Sequence, residues 1–218
     1  MSQVKLNEFA RISYSQFAED LYLESVLFPQ KADGFYVDVG AHHPYRFSNT
    51  CLFHKRGWRG INVDVDQRAI DLFKVERPAD TNVLAAIGRE RGERTLFLFN
   101  EGAVNTLSPE LAEEYARIEG RTIIDRKPVP VYPLGDILDQ YLPDGQAIDI
   151  LNIDIEGLDM ESLESNNWEK YRPEVIVIEI HTANLFNIHD LPATRYLVDK
   201  GYHVQHIAHL STVFRKIR

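Results

Sequence analysis

The stretch that decides the fold is FYVDVGAHHP, which covers residues 35–44. Its first five residues are apolar or aromatic apart from one aspartate, which is typical of a strand buried on both faces. The strand stops at Gly40, where a tight turn is expected because glycine accepts backbone conformations that other residues avoid. A buried strand followed at once by a glycine turn predicts the first βα unit of an open parallel sheet.

Similar units follow along the chain, where short apolar runs alternate with longer amphipathic stretches. This alternation predicts an α/β fold, with a doubly wound sheet covered by helices on both faces. The predicted strands of the sheet cover residues 35–39, 61–65, 82–87, 147–153 and 174–180, followed by an antiparallel pair at 202–207 and 212–216. The predicted helices cover residues 48–56, 67–76, 109–118, 134–141, 157–163 and 191–200, after a first helix that stops at Pro29.

One domain is expected over residues 1–218, because this length suits one sizeable core and no change in composition marks a second. Residues from about 1 to 30 are predicted to form an N-terminal helical cap. The regular alternation lapses over about 95–132, which we interpret as a substrate-loop insertion. Within it we expect strands at 95–99 and 129–132, a helix capped by Ser108, and a lid or substrate loop at 101–106.

Charge and hydropathy exclude several classes of partner. Asp and Glu outnumber Lys and Arg by 33 to 24, and the resulting net charge of −9, with no basic strip, disfavours nucleic acid. No apolar run approaches the roughly 20 residues of a membrane-spanning helix, and the first residues show no apolar targeting segment. We therefore expect a cytoplasmic protein that binds no membrane and acts on a small molecule or a glycan. A homo-oligomer is possible.

The residues after the first strand favour a cationic ligand over a phosphate. A dinucleotide-binding turn carries G-x-G-x-x-G so that the backbone can approach a pyrophosphate. Here Gly40 stands alone and follows Asp38, whose carboxylate would repel phosphate. S-adenosylmethionine carries an ammonium and a sulfonium but no phosphate, so it suits this turn better than NAD. Asp64, ending the second strand, is placed to accept ribose hydroxyls, and Ala86, ending the third, to lie against an adenine.

Ionisable residues also follow the fourth and fifth strands. Asp154 and Glu156 are two residues apart, as are Glu179 and His181, so each pair is expected to share one face. If S-adenosylmethionine donates its methyl group to a hydroxyl, that hydroxyl is a weak nucleophile and needs a base or a metal to activate it. Glu156 or His181 is then a candidate base. Asp154, Glu179 and His181 can alternatively hold a divalent metal such as Mg²⁺, an interpretation we do not favour. The acids can also simply cap the following helix.

Six segments carry a family resemblance: SQFAED (15–20), GFYVDVGA (34–41), FSNT (47–50), GWRGINVD (57–64), LAAIG (84–88) and IDIEG (153–157). In these segments the chain resembles the FkbM-type S-adenosylmethionine-dependent methyltransferases, over about residues 15–181. The resemblance implies a Rossmann-like methyltransferase sheet with strand order 3-2-1-4-5-7-6. It also implies S-adenosylmethionine as the methyl donor and O-methylation of a sugar or a secondary metabolite.

The resemblance further implies roles for single residues. Around the cofactor it places Gln16, Asp38, Gly40, Asn49 and Asp64, with Asp38 and Gly40 at the methionine end and Asp64 at the ribose. Asp154 and Glu156 would face the methyl group and the acceptor. The chain departs from its relatives at His42 and His43, where many have Asn-x-Gly or Asn-Asp-Pro. These histidines are predicted to alter the methionine pocket or to reach the acceptor.

Two other functions stay open at the level of the sequence. One is a nucleotide-dependent oxidoreductase, although the missing G-x-G-x-x-G and the presence of Asp38 disfavour it. The other is a methyltransferase-like domain that binds ligands without catalysis, which the acids retained at the strand ends disfavour.

Overall fold

The computed structural model of the protein describes residues 8–181 and 184–217. Its strands are β1 Phe35–Val39, β2 Arg59–Asp64, β3 Thr81–Leu84, β4 Ala86–Ile87, β5 Gly92–Phe99, β6 Ile123–Tyr132, β7 Ile150–Ile153, β8 Val175–Glu179, β9 Tyr202–Ala208 and β10 Ser211–Lys216. Its α-helices are α1 Glu19–Tyr22, α2 Cys51–Lys55, α3 Gln67–Glu76, α4 Pro109–Tyr115, α5 Leu134–Tyr141, α6 Asp159–Ser165 and α7 Pro192–Asp199. Helix α1 continues as a π-helical turn, Leu23–Leu27, and short 3₁₀ turns lie at Gly102–Val104 and Ile188–Asp190.

Within the described ranges, seven strands form one sheet in the order β3-β2-β1-β7-β8-β10-β9. Strands β3, β2, β1, β7 and β8 are parallel, whereas β10 runs antiparallel to both β8 and β9. The expected mixed α/β sheet is therefore present. The strand numbers differ from the expected order 3-2-1-4-5-7-6. The reason is that β4, β5 and β6, which lie between β3 and β7 in the chain, belong to another sheet, so the later strands of the large sheet carry higher numbers than expected.

Those three strands form a second sheet in the order β4-β6-β5. The prediction of one strand over residues 82–87 was therefore wrong: β3 ends at Leu84, and Ala86 and Ile87 pair with Val131 and Tyr132 of β6. The reason is competition between pairing partners: after Leu84 the chain leaves the edge of β2 and pairs with β6, which also pairs with β5 in an antiparallel arrangement.

Strand β6 is longer than the predicted segment 129–132, because β5 pairs with it back to Ile123. Pro128 and Pro130 are tolerated within it because β4 reaches only Val131 and Tyr132, which leaves the rest of β6 as an edge on that side.

Both faces of the large sheet are buried under apolar side chains. Phe35, Val37 and Val39 of β1 point into one hydrophobic cluster, which α5, α6 and α7 help to cover. Tyr36 points into the cluster on the other face, together with side chains of α2 and of the π-helical turn. The burial of all five residues of β1 matches the apolar character expected of a central parallel strand.

Local capping signals predicted several helix bounds correctly. Helices α3 and α5 have the predicted bounds, 67–76 and 134–141. Ser108 caps α4 by accepting a hydrogen bond from the backbone N–H of Leu111, with Pro109 in the first turn. The first helix ends at Leu27, just before the predicted stop at Pro29. No helix in residues 8–181 or 184–217 is long and apolar enough to cross a membrane.

Gly40 ends β1 with a left-handed φ of +79°. A Cβ at this position would lie 1.7 Å from the carbonyl oxygen of Asp154, far inside van der Waals contact. The N–H groups of Gly40 and Ala41 both donate to the carbonyl of Val63, so the turn cannot move away without losing these bonds. Only glycine satisfies both the conformation and the close approach.

Gly40→Ala should therefore lower the free energy of unfolding by more than about 2 kcal/mol, because it adds backbone strain to a steric clash. Gly92→Ala is the matched control, since nothing lies within 4 Å of the point that its Cβ would occupy and its φ is not left-handed. Urea denaturation of both variants measures the difference. Equal stability of the two would show that the turn is not constrained in this way.

Candidate active site

The carboxyl ends of four neighbouring strands meet at one edge of the large sheet. The pairing places Val39 beside Val63 on one side and beside Ile153 on the other, while Ile153 pairs with Ile178. The residues that follow these strands therefore gather in one cleft, as expected for an open α/β sheet.

Two adjoining cavities open at this edge. We call the first the donor cavity; its empty volume is about 510 Å³, counting the space open to solvent at its mouth. It is lined by Gly40, Asp64 and Ala86, together with apolar side chains that include Val65, Ile87 and Leu107. Of the residues predicted from sequence to hold a cofactor, these three and Asp154 contribute to its walls.

Asp64 is the polar group of this cavity that the sequence singled out for ribose. One carboxylate oxygen accepts a hydrogen bond from the backbone N–H of His42 at 2.8 Å, and the other accepts one from the N–H of Asp66 at 2.7 Å. Burial raises the pKa of Asp64 to about 6, against the opposing effect of these two bonds. The carboxylate is thus held in one orientation and keeps lone pairs free for further donors.

The second cavity, which we call the acceptor cavity, is larger, with an empty volume of about 1310 Å³ on the same measure. Gly40, His42, Ala103, Asp154 and Glu156 line both cavities, so the two adjoin at these residues. The predicted residues Gln16, Asp38 and His181 line the acceptor cavity as well. Asn49 lines neither cavity.

Asp38 and Asn49 belong to a buried network beside the acceptor cavity. Asp38 is 2% exposed and accepts hydrogen bonds from Thr50 at 2.6 Å and from Asn152 at 2.9 Å. Asn49 in turn donates to the side-chain oxygen of Asn152 at 2.9 Å. Burial raises the pKa of Asp38, although the bond from Thr50 and the charge of Arg77 oppose this. Both carboxylate oxygens of Asp38 are therefore hydrogen-bonded within the protein, and these bonds stabilise the segment that follows β1.

Three carboxylates converge at the junction of the cavities. Oxygen atoms of Asp154, Glu156 and Glu179 lie within 4.8 Å of one another. Burial, together with the neighbouring acids, raises the pKa of Glu179 to about 8 and holds that of Asp154 well above its usual range. A proton or a cation relieves such repulsion. His181, proposed from sequence as a metal ligand, lies with Nε2 2.7 Å from the carboxylate of Glu179.

Glu156 is held by contacts from the insertion. Its backbone has a left-handed φ of 50°, and its carbonyl oxygen accepts a hydrogen bond from the Thr106 hydroxyl at 2.7 Å. The Tyr115 hydroxyl donates to its carboxylate. Burial raises the pKa of Glu156, which strengthens it as a base, while the bond from Tyr115 opposes the shift.

Two residues of the site, Tyr115 and Arg46, were not predicted from the sequence, while Glu101 was predicted only as the first residue of the lid or substrate loop and Arg121 only as part of the insertion. Arg46 makes a two-pronged ion pair with Glu101, at 2.9 and 3.0 Å, that joins the first turn to the segment 101–106. No local pattern marks these residues, since each becomes part of the site through contacts with distant segments.

An open, mostly parallel sheet with a cleft at its carboxyl edge places the protein among the Rossmann-like α/β folds that bind ligands at that edge. The chain belongs to the family described as the methyltransferase FkbM domain, which it matches over residues 38–204. The family that the sequence resemblance predicted is therefore confirmed.

Other comparisons add little. No curated protein matches the chain significantly. Among solved structures, a Haemonchus contortus phosphoethanolamine N-methyltransferase 1 in complex with phosphoethanolamine and S-adenosylhomocysteine aligns with 93% of this chain, at 10% sequence identity and a TM-score of 0.35. The present chain spans 40% of the length of that protein. A likeness this distant says nothing about substrate.

The crowded acids make the stability of the fold depend on pH. Glu179 has a pKa of about 8 in the folded protein, against about 4.3 for an unfolded chain. Between these values the folded protein holds a proton that the unfolded chain releases, so the free energy of unfolding falls as pH rises from about 5 to about 8. Glu179→Gln should flatten this slope, as measured by urea denaturation across the same pH range. An unchanged slope would place the retained proton elsewhere.

Proposed function

We propose that this methyltransferase uses S-adenosylmethionine and methylates a hydroxyl group of a sugar or a secondary metabolite. The observation that carries the proposal is that the two cavities adjoin and have Gly40, Asp154 and Glu156 in common as lining residues. The donor cavity suits an adenosine, and the acceptor cavity presents carboxylates at the place where the two meet.

The donor cavity fits the cofactor in three respects. Asp64 offers a fixed carboxylate to the two ribose hydroxyls, and Ala86 and Ile87 offer small apolar surface to an adenine. Gly40 lets a ligand approach the backbone closely. Asp154, at the junction, suits the positively charged methionine end. When bound, S-adenosylmethionine supplies a methyl group activated by a sulfonium.

The protein's own task is to position the acceptor and to remove its proton. A well-oriented hydroxyl gains roughly 7–11 kcal/mol from proximity alone. Glu156 is the favoured base, because its carboxylate lines the acceptor cavity, is oriented by Tyr115 and has a raised pKa. His181 is the alternative base, and its contact with Glu179 would let it pass on a proton taken from the acceptor to the carboxylate of Glu179.

We further propose that the acceptor is a small molecule or a glycan and not a nucleic acid, because the net charge of −9 and the acidic site oppose a polyanion.

Asp64→Ala should abolish binding of S-adenosylhomocysteine in isothermal titration calorimetry, because the ribose loses its acceptor. Asp64→Asn keeps the shape of the side chain but not its charge. This variant should therefore bind S-adenosylhomocysteine weakly, and its affinity should change little with pH. In the native protein, affinity should fall as pH drops below about 6, since protonation removes the charged acceptor.

Asp71→Ala is the control, as Asp71 is an exposed aspartate on the helix that follows Asp64. Micromolar affinity surviving in Asp64→Ala would show that the ribose binds elsewhere.

Glu156→Gln should lower turnover by about 10²- to 10⁴-fold, the usual contribution of a general base, while leaving affinity for S-adenosylhomocysteine unchanged. Turnover is measured as S-adenosylhomocysteine release with a panel of hydroxyl acceptors. Glu114→Gln, at an exposed glutamate next to Tyr115 on α4, controls for loss of an acid near the insertion. Full activity of Glu156→Gln would show that another group acts as the base, and His181 would be the first candidate to test.

A further inference from the structure

The basic side chains that line the acceptor cavity are not equally matched by acids. In the described part of the chain these are Arg46, Arg121, His42 and His181, and burial lowers the pKa of His42, which disfavours its charged form. Arg46 is satisfied by its two-pronged ion pair with Glu101. His181 lies 2.7 Å from a carboxylate oxygen of Glu179. Each of these two groups therefore has an acidic partner within the site.

Arg121 differs from both. Among residues 8–181 and 184–217, no carboxylate oxygen lies within 4 Å of its guanidinium. The guanidinium instead lies over the ring of Tyr115, 4.7 Å from the ring centre. Stacking on an aromatic face holds the plane of a guanidinium while leaving the N–H groups at its edge available. The side chain is half-buried, so its position in the cavity wall is defined by packing.

No acid of the cavity forms an ion pair with Arg121 within the described residues. The charge of Arg121 lowers the pKa of Glu156 from a distance, but the carboxylate of Glu156 is bonded to the hydroxyl of Tyr115, whereas Arg121 contacts the ring of the same tyrosine. An oriented guanidinium that faces a cavity without an acidic partner is a site for a planar anion, which it binds through two parallel hydrogen bonds.

We propose that Arg121 is a specificity-determining residue that binds a carboxylate on the methyl acceptor. The acceptor is accordingly a hydroxyl compound that also carries an acidic group, of which a uronic acid glycoside is the sugar representative. This inference rests on the proposed function. Arg121 does not line the donor cavity, where the adenosine is proposed to bind. The carboxylate at the methionine end of the cofactor is the competing partner for Arg121, and the calorimetric arm of the test distinguishes the two.

The test compares matched acceptors that differ only in charge: methyl β-D-glucuronide against methyl β-D-glucoside, and hydroxybenzoate against hydroxybenzamide. Turnover is measured as S-adenosylhomocysteine release from the full-length protein. The native protein should prefer the acidic member of a pair. Arg121→Met, which keeps length and apolar contact, should raise KM for that acid by about 10- to 100-fold, the effect of losing a charge-assisted hydrogen bond. KM for the neutral member should stay unchanged, and Arg121→Lys should restore part of the preference.

Arg126→Met is the matched control. Arg126 also stacks on an aromatic ring, 5.6 Å from the centre of Phe97, but it is exposed and does not line the acceptor cavity. This variant loses the same charge and should keep the preference for acids.

Three outcomes would overturn the inference, and they can be told apart. Equal use of both members of a pair by the native protein would show that no anion is recognised. A weaker affinity of Arg121→Met for S-adenosylhomocysteine, measured by calorimetry, with acceptor KM unchanged would assign the carboxylate to the cofactor. Binding of S-adenosylhomocysteine without turnover of any acceptor would overturn the proposed acceptor class, and this inference with it.

Discussion

The site depends on the close approach of two backbone segments, at Gly40 after β1 and at Asp154 after β7. The carbonyl oxygen of Asp154 occupies the space that a side chain would need at position 40, and the N–H of Asp154 bonds to the carbonyl of Val39. This contact brings the turn that lines the donor cavity against the loop that carries the acids. Without it, the two cavities would not share a wall, and a methyl donor could not lie beside an acceptor.

Electrostatics then gives the two cavities different characters. The donor cavity combines apolar walls with the oriented carboxylate of Asp64, and Asp154 and Glu156 line it where it meets the acceptor cavity, an arrangement that supports the proposed cofactor site. At the junction, desolvation together with the repulsion between neighbouring acids raises the pKa values of Asp154 and Glu179. A group such as Glu179, whose pKa of about 8 lies near neutrality, can accept or donate a proton at little free-energy cost, which is a property that general acid–base chemistry requires.

A buried arginine, Arg77, stabilises the loop between β1 and α2. Arg77, which follows α3, is 1% exposed and donates to the hydroxyls of Ser48 and Thr50 and to the carbonyl of Pro44. The Thr50 hydroxyl in turn donates a hydrogen bond to the carboxylate of Asp38. The loop between β1 and α2 is thereby tied to the next βα unit. Asp38, which the sequence suggested as a cofactor ligand, is the inner end of this network.

Several features of the protein could be predicted from the sequence because they depend on neighbouring residues. The buried strand β1, the bounds of α3 and the cap at Ser108 follow from apolar periodicity and from side-chain hydrogen bonds within one turn. The family could also be recognised, because its motifs are short and contiguous. The same local reasoning placed Asp64 and Glu156 at strand ends, where the structure finds them lining the cleft.

Only the tertiary structure decided which distant segments meet. Residues 82–87 divide between two sheets because β6, which pairs with β5, supplies a second partner for Ala86 and Ile87. Tyr115 reaches Glu156 across 41 positions of sequence, and Arg46 reaches Glu101 across 55. Such contacts depend on the packing of whole elements and leave no periodic or capping signal in the chain. The sequence therefore determined the elements and the family, while packing determined the surroundings of each acid and the shape of the acceptor cavity.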